Sequence, residues 1–103
     1  MQVVLAEPAE RDLTSIIDYI ALDNPPAALN VFRRIEAAMR RLADFPELGR
    51  PGRLPGTREI RVSSLPYLIA YGATADRVTV FAIFHTARNL SKALEARKDE
   101  LKP

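Results

Sequence analysis

The chain has 103 residues, of which 48% are hydrophobic and 27% charged, and its formal net charge is +2. This length and composition predict a single globular domain, residues 1–103, and exclude a disordered or fibrous chain. No cysteine is present, which excludes disulfides, thiolate metal sites and a cysteine nucleophile. No basic leader and no apolar run of about 20 residues is visible, so we expect a cytoplasmic protein without a membrane partner.

The charged residues are unevenly distributed along the chain. Residues 1–24 contain five acids and one arginine, whereas residues 46–88 contain six arginines and three acids. The planar guanidinium group of arginine suits phosphate and carboxylate recognition. The basic second half is therefore either a recognition surface or an ordinary solvated surface of mixed charge.

The hydrophobic pattern predicts a short strand and then two helices. Residues 3–5 form an apolar run before a proline, which indicates a strand. From Ala9, apolar residues recur every three or four positions, which predicts an amphipathic helix to about Asp23. Asn24 and Pro25 supply the N-cap and first position of a second helix. Because the turn between the two helices is tight, they should form an antiparallel hairpin.

A loop, three strands and a tail helix are predicted to follow. Residues 46–57 have proline or glycine at half of their positions, which indicates a loop. Strands are predicted at 58–62, 67–71 and 77–85, and helical spacing returns from Leu90. Strict alternation in the last strand would place Val78, Val80, Ala82 and Phe84 on one face and Phe81 and Ile83 on the other.

This order predicts an α+β fold. The N-terminal helical hairpin should pack on one face of a mostly antiparallel sheet, in the order β-α-α-β-β-β, with a C-terminal helical tail. The simplest arrangement has two layers, with the helices on one face of the sheet.

A cluster of arginines with one histidine is expected at one end of the sheet. His85 ends the last strand and Arg88 follows it, while Arg58, Glu59 and Arg61 belong to the 58–62 strand, whose start we expect beside the end of the last strand. In an enzyme, the arginines would hold phosphates while Glu59 and His85 moved protons, as in metal-free RNA cleavage. In a binding protein, the arginines would contact an acidic protein or a nucleic-acid backbone. A purely structural role is the third interpretation. No cofactor or metal is expected.

Five segments of the chain form a recognisable set: AERDLTSIIDYIALDNPPAA (9–28), LADFPELGRPGR (42–53), GTREIRV (56–62), PYLIAY (66–71) and VTVFAIFHTAR (78–88). Together they resemble the ParE/RelE superfamily of bacterial toxins from type II toxin–antitoxin pairs. Their order and spacing cover nearly the whole chain. The family fold, a helical hairpin on a mostly antiparallel sheet, agrees with the predicted elements.

The resemblance implies a toxin, and its two branches imply different targets. ParE-like members inhibit DNA gyrase and have no established catalytic residues. RelE-like members are ribosome-dependent mRNA endonucleases that use basic residues with a tyrosine, or with a histidine and a tyrosine, near the chain end. No tyrosine follows Tyr71, which favours a non-catalytic gyrase inhibitor and leaves the ribosome and mRNA as the alternative targets. The implied target-binding residues are Arg58, Arg61, His85 and Arg88; the nuclease alternative would use Glu59, Arg61, His85 and Arg88.

The resemblance also implies a cognate antitoxin and a hetero-oligomer with it. The antitoxin is expected to lay an amphipathic segment into an apolar groove and to extend an edge of the sheet. Leu90, Leu94 and Leu101 recur at helical spacing on the tail. They are either antitoxin contacts or residues of the core.

Overall fold

The computed structural model describes the backbone of residues 1–101 and the side chains of residues 1–99. The elements follow the predicted order, with one additional strand, β2, inside the predicted loop. They are β1 (Gln2–Leu5), α1 (Glu7–Ala21), α2 (Pro25–Asp44), β2 (Arg50–Pro51), β3 (Arg58–Arg61), β4 (Tyr67–Ala73), β5 (Arg77–His85) and α3 (Leu90–Arg97), which continues into a 3-10 turn at Lys98–Leu101. The α+β prediction is confirmed.

The sheet is mostly antiparallel, as predicted. Its strand order is β1-β5-β4-β3-β2, and only the β1–β5 pair is parallel. Because β3 and β5 are both antiparallel to β4, they run in the same direction. Arg58 is level with Tyr71 at one end of β3, whereas Arg61 is level with Leu68 and, one strand further, with Phe84.

The hairpin forms where the sequence places its signals. The side chain of Asn24 accepts a hydrogen bond of 3.1 Å from the Ala27 N–H, and Pro25 opens α2. This N-cap satisfies a backbone donor that the first helical turn leaves without a partner. α1 begins at Glu7, two residues before the predicted start, and Glu7 and Glu10 lie at the positive end of its dipole. Both helices pack on the same face of the sheet.

Two hydrophobic clusters lie on opposite faces of the sheet. The hairpin cluster, between the hairpin and the sheet, contains Ala9, Val31, Ile35, Met39, Leu42, Val62, Tyr67, Ile69, Tyr71, Val78, Val80 and Ile83. The tail cluster, beneath α3, contains Leu54, Leu68, Ala70, Phe81, Ala82, Phe84, Leu90 and Leu94. The expectation that all helices share one face is therefore wrong for α3. The hairpin already covers one face, so α3 covers the apolar side chains of the other.

A β-bulge in β5 changes the predicted alternation of its side chains. Ala70 pairs with Ala82, but the next residue of β4, Tyr71, pairs with Val80, so Phe81 is an extra residue. A bulge shifts the side-chain alternation by one position. Phe81 and Ala82 consequently both face the tail cluster, and the predicted faces are wrong from Ala82 onward.

Candidate functional site

Arg61 and Arg88 lie at the same end of the sheet and on the face that α3 covers. Arg61 is paired with Leu68, and Leu68 with Phe84, so the backbones of Arg61 and Phe84 are two strand spacings apart, about 10 Å. The Arg88 guanidinium carbon lies 4.4 Å from the centre of the Phe84 ring, and that of Arg97 lies 4.9 Å from it. Stacking on an aromatic ring holds the Arg88 side chain in one orientation. Arg61 and Arg88 are both exposed, and we call this pair the arginine end.

Arg58 lies away from the arginine end. It is at the start of β3, and its Nη1 donates to the carbonyl oxygens of Gly49 at 2.8 Å and Glu47 at 3.4 Å. The expectation that the start of this strand lies beside the end of β5 is wrong, because β3 and β5 run in the same direction. The Arg58 side chain therefore holds the segment that leads into β2.

His85 lies at the arginine end but on the hairpin face. It pairs with Tyr67, and the two rings meet edge to face with centroids 5.4 Å apart. Its Nδ1 accepts a hydrogen bond of 3.0 Å from the Ala87 N–H, and its carbonyl oxygen accepts one of 3.1 Å from the Arg88 N–H. Burial raises the pKa of the Tyr67 phenol, so this tyrosine stays protonated near neutral pH and does not provide a base.

Glu59 is the one buried charged residue among the described side chains, with an exposed fraction of 3%. Its Oε1 accepts a hydrogen bond of 2.8 Å from Arg53 Nη1, and its Oε2 accepts one of 2.8 Å from the Arg53 N–H. The Arg50 guanidinium lies 3.8 Å away. The carboxylate therefore fastens the segment 50–57 to β3, an arrangement that satisfies a buried charge.

Two of the three predicted tail leucines face the protein's own sheet. Leu90 and Leu94 are 8% and 1% exposed and belong to the tail cluster. The side chain of Leu101 lies outside the described residues. A partner that contacts Leu90 or Leu94 directly must therefore replace contacts that α3 already makes.

An ion pair that the sequence did not predict connects α3 to α1 across the free edge of β5. Arg97 donates to both carboxylate oxygens of Asp12, at 2.9 and 3.0 Å, and to the Phe81 carbonyl oxygen at 2.9 Å. Asp12 Oδ2 also accepts a hydrogen bond of 3.0 Å from the Ile83 N–H. These contacts replace a strand, since β1 pairs with β5 only as far as Val80. The signal in the sequence is Arg97 itself, an arginine on the apolar side of the tail helix.

A groove runs between α2 and the free edge of β3. Its floor is apolar, and three arginines surround it: Arg34, Arg41 and Arg61. Arg34 Nη2 donates a hydrogen bond of 2.6 Å to the Ser63 carbonyl oxygen, just past the end of β3. β2 pairs with β3 only at Arg58 and Glu59, so the second half of β3 has no neighbour on this side among the described residues. The full lining is Arg34, Ala37, Ala38, Arg41, Ile60, Arg61, Val62 and Ser63. We call this the α2–β3 groove.

The described residues contain neither a metal-ligand cluster nor a membrane-spanning helix. Among the side chains described, no group of three or more histidines and acids is arranged to hold a metal ion. No helix within residues 1–101 has the length and apolar character needed to cross a bilayer.

Comparison with known proteins agrees with this architecture. Residues 3–90 match the family described as ParE toxin of type II toxin-antitoxin system, parDE. The chain is 38% identical over 86 residues to the predicted toxin Y4kP of Sinorhizobium fredii, covering 84% of this chain and 88% of that protein. It is 39% identical over 87 residues to Toxin RelE2 of Caulobacter vibrioides, covering 84% of this chain and 97% of that toxin.

A solved structure shares the fold. A chain of the chromosomal ParDE toxin–antitoxin system from P. aeruginosa superimposes with a TM-score of 0.74 at 22% sequence identity, over 82% of this chain and 95% of that one. At this level of identity the likeness speaks for the fold alone. The family match, by contrast, spans the helical hairpin, the whole sheet and the arginine end, so the chain belongs to the ParE family of type II toxin–antitoxin toxins.

Proposed function

We propose that this toxin arrests growth by inhibiting DNA gyrase in the cytoplasm, and that a cognate antitoxin neutralises it. The toxin binds the gyrase–DNA complex and leaves DNA breaks unsealed, so replication stalls. The observation that carries this proposal is the arginine end: Arg61 and Arg88 are exposed, whereas Glu59, the buried carboxylate among the described side chains, is bound by Arg53. Such a surface is suited to binding and poorly suited to acid–base chemistry.

The positions of the other nuclease candidates support the same choice. General acid–base catalysis needs the acid and base within hydrogen-bonding reach of one substrate. The Glu59 carboxylate is buried against Arg53, whereas His85 is on the opposite face of the sheet from Arg61 and Arg88. The Tyr67 ring packs against His85. Because burial raises the pKa of its phenol, Tyr67 does not provide a base. These groups do not converge on one substrate position.

Within this proposal, the target contacts are divided between two roles. Arg61 and Arg88 contact the target directly through guanidinium groups, which bind carboxylates and phosphates in a bidentate manner. His85 is at the same end of the sheet but on its other face, so it would contact the target only at the margin of this surface. Arg58 supports the surface indirectly, since its guanidinium is bound to the loop carbonyl groups of Glu47 and Gly49.

The antitoxin is proposed to bind both the α2–β3 groove and the tail helix as a hetero-oligomer. The groove offers an apolar floor, arginines and an unpaired strand edge, which fit an acidic, extended or amphipathic segment. Contact with Leu90 and Leu94 requires α3 to move from the sheet, because both leucines are buried beneath it. Hydrogen exchange of the α3 amides with and without the antitoxin tests this movement; unchanged protection in the complex would exclude it.

A supercoiling assay tests the proposed target. Purified toxin should inhibit gyrase supercoiling and increase the amount of cleaved plasmid DNA at micromolar concentration, and equimolar antitoxin should abolish both effects. The control is a topoisomerase I relaxation reaction, which should not change. No effect on supercoiling would contradict the proposal.

The alternative function is a ribosome-dependent mRNA endonuclease. The observation that favours it is the 39% identity to Toxin RelE2 of Caulobacter vibrioides. In a translating extract, such an enzyme would cut mRNA in the ribosomal A site, and Arg61→Ala or Arg88→Ala would abolish cutting. The same protein preparation, used in both assays, separates the two functions.

A further inference from the structure

We propose that the tip of the helical hairpin is a second contact surface of the toxin, which binds the basic DNA-binding face of gyrase. We define the hairpin tip by Asp18, Tyr19, Leu22, Asp23 and Leu29. This inference rests on the proposed function, because it takes gyrase as the target. The hairpin tip would contact gyrase separately from the arginine end and from the α2–β3 groove.

The hairpin tip exposes large hydrophobic side chains. Tyr19 is 76% exposed, Leu22 is 81% exposed and Leu29 is 49% exposed. They account for three of the six large hydrophobic side chains that are exposed within residues 1–99. Tyr19 and Leu22 are three residues apart at the end of α1 and therefore project from the same side of the helix. Neighbouring exposed apolar side chains such as Tyr19 and Leu22 mark interaction surfaces more often than isolated ones do.

The backbone of the tip is held in one conformation. The N–H groups of Asp23 and Asn24 donate to the Ile20 carbonyl oxygen at 3.2 and 3.0 Å. The Asn24 side chain then caps α2, and Pro25 and Pro26 restrict the backbone of its first turn. A surface that is already ordered loses little conformational entropy on binding.

The charges at the tip oppose the stability of α1. Asp18 and Asp23 lie at the carboxyl end of the helix, where the helix dipole favours cations, and the last turn contains no basic residue. Both are exposed, and neither forms an ion pair or a side-chain hydrogen bond among the residues that the structure describes. Residues that break a local rule without structural compensation are expected at functional sites. The unfavourable charge and the apolar exposure occur together.

Charge complementarity identifies the occupant. An enzyme that holds duplex DNA must present a basic surface, because the duplex carries a dense row of phosphates. Acidic side chains around an apolar centre fit such a surface and are repelled by an acidic one. Arg33, one turn beyond Leu29 on α2, is the nearest basic residue along the chain and borders the patch. The toxin thus has an acidic, apolar tip on the hairpin and guanidinium groups at the arginine end.

The test compares tip variants with matched controls in the gyrase supercoiling assay, using the full chain. Tyr19→Ser with Leu22→Ser, and separately Asp18→Lys with Asp23→Lys, should each raise the toxin concentration for half-maximal inhibition by about tenfold or more. Phe45→Ser, which changes a 59% exposed side chain beyond the end of α2, and Glu10→Lys, in the first turn of α1, are the controls. Both controls should inhibit like the unaltered toxin. All variants should keep their affinity for the antitoxin. The Asp18→Lys with Asp23→Lys variant should melt at a slightly higher temperature and Glu10→Lys at a slightly lower one, because the helix dipole favours cations at the carboxyl end and anions at the amino end.

Each other outcome overturns the inference in a distinguishable way. If the unaltered toxin does not inhibit gyrase, the proposed function fails and this inference fails with it. If the unaltered toxin inhibits and the tip variants inhibit equally, only the role of the tip is wrong. If the tip variants lose antitoxin affinity but still inhibit, the tip binds the antitoxin instead. If sedimentation shows a toxin dimer that the Tyr19→Ser and Leu22→Ser changes dissociate while inhibition persists, the tip is a self-association surface.

Discussion

The helical hairpin and the tail helix cover opposite faces of one sheet, but different interactions attach them. The hairpin provides helices of 15 and 20 residues and contributes six buried side chains. The tail helix has eight residues and places two buried leucines on the sheet. Arg97 attaches it further through the ion pair with Asp12, a hydrogen bond to the Phe81 carbonyl oxygen and contact with the Phe84 ring. The hairpin face is therefore held by packing, and the tail face depends on a few directional contacts.

This difference predicts which element can detach from the sheet at the lowest free energy. A short helix with few buried contacts opens locally at a lower free energy than an element packed into the main core. α3 is thus the element that a binding partner can displace at the lowest cost. The proposed antitoxin contacts at Leu90 and Leu94 depend on this property.

The largest expected effect comes from a cavity under the hairpin. Ile35→Ala removes a side chain with 0% exposure in α2 and should lower the free energy of unfolding by about 4 kcal/mol. Leu94→Ala, on the tail face, should cost about 2.5 kcal/mol, since the short helix can shift to close the cavity. Urea unfolding measures both, with Leu29→Ala as an exposed control. Equal losses of unfolding free energy in the Ile35→Ala and Leu94→Ala variants would contradict the conclusion that packing holds the hairpin more strongly than it holds α3.

The Asp12–Arg97 pair should account for much of the attachment of α3. Asp12→Ala removes the two-oxygen contact between Asp12 and Arg97 and the acceptor of the Ile83 N–H, and it should cost about 3 kcal/mol. The double variant, Asp12→Ala with Arg97→Met, should lose less free energy of unfolding than the sum of the losses in the two single variants, because the two side chains interact. A thermodynamic double-mutant cycle measures this coupling. Additive losses would mean that the pair does not hold the helix.

Tyr71, a residue of the hairpin cluster, forms a polar contact with the segment before β2. Its hydroxyl donates to the Pro46 carbonyl oxygen and accepts from the Gly49 N–H, both at 2.8 Å. Tyr71→Phe leaves both backbone groups without this partner and should cost about 2 kcal/mol. Tyr19→Phe, at an exposed tyrosine, is the control and should change stability little. The account of this contact is wrong if the two variants unfold at the same urea concentration.

The smallest expected effect is at the turn between β3 and β4, which belongs to neither face. Ser64 has a φ of 62°, in the left-handed region that non-glycine residues adopt at a cost. Ser64→Gly should raise the free energy of unfolding by about 0.5 kcal/mol, since the relief of strain is partly offset by the flexibility of glycine in the unfolded chain. Ser63→Gly, one position earlier, should instead lower it. A loss of stability in both variants would argue against backbone strain at Ser64.

Most of the elements could be predicted because their signals are local. The Asn24–Pro25 step fixes the hairpin turn through an N-cap and a restricted backbone. The change from helical to alternating spacing identifies the strands. β2 could not be predicted, because a two-residue strand has no periodicity of its own. Nor could the bulge at Phe81, which depends on how β4 and β5 align.

The candidate site was harder to predict because it depends on topology. The sequence indicated arginines at a sheet end, but only the strand directions separate Arg58 from Arg61. Glu59 looks like an outward residue of a half-exposed strand, and it is buried because Arg53 folds over it from the preceding loop. The partner of Arg97 is 85 residues away in sequence, so no local pattern could identify Asp12.

The most direct test of the account is the supercoiling assay with the arginine end removed. Arg61→Ala with Arg88→Ala should raise the toxin concentration for half-maximal inhibition of gyrase by about tenfold or more, because exposed guanidinium groups at an interface are frequent hot spots. Arg40→Ala with Arg77→Ala removes the same charge at exposed positions outside both proposed contact surfaces and should inhibit like the unaltered toxin. If the Arg61 and Arg88 double variant inhibits gyrase as well as the unaltered toxin, the arginine end does not bind the target and the central claim is wrong.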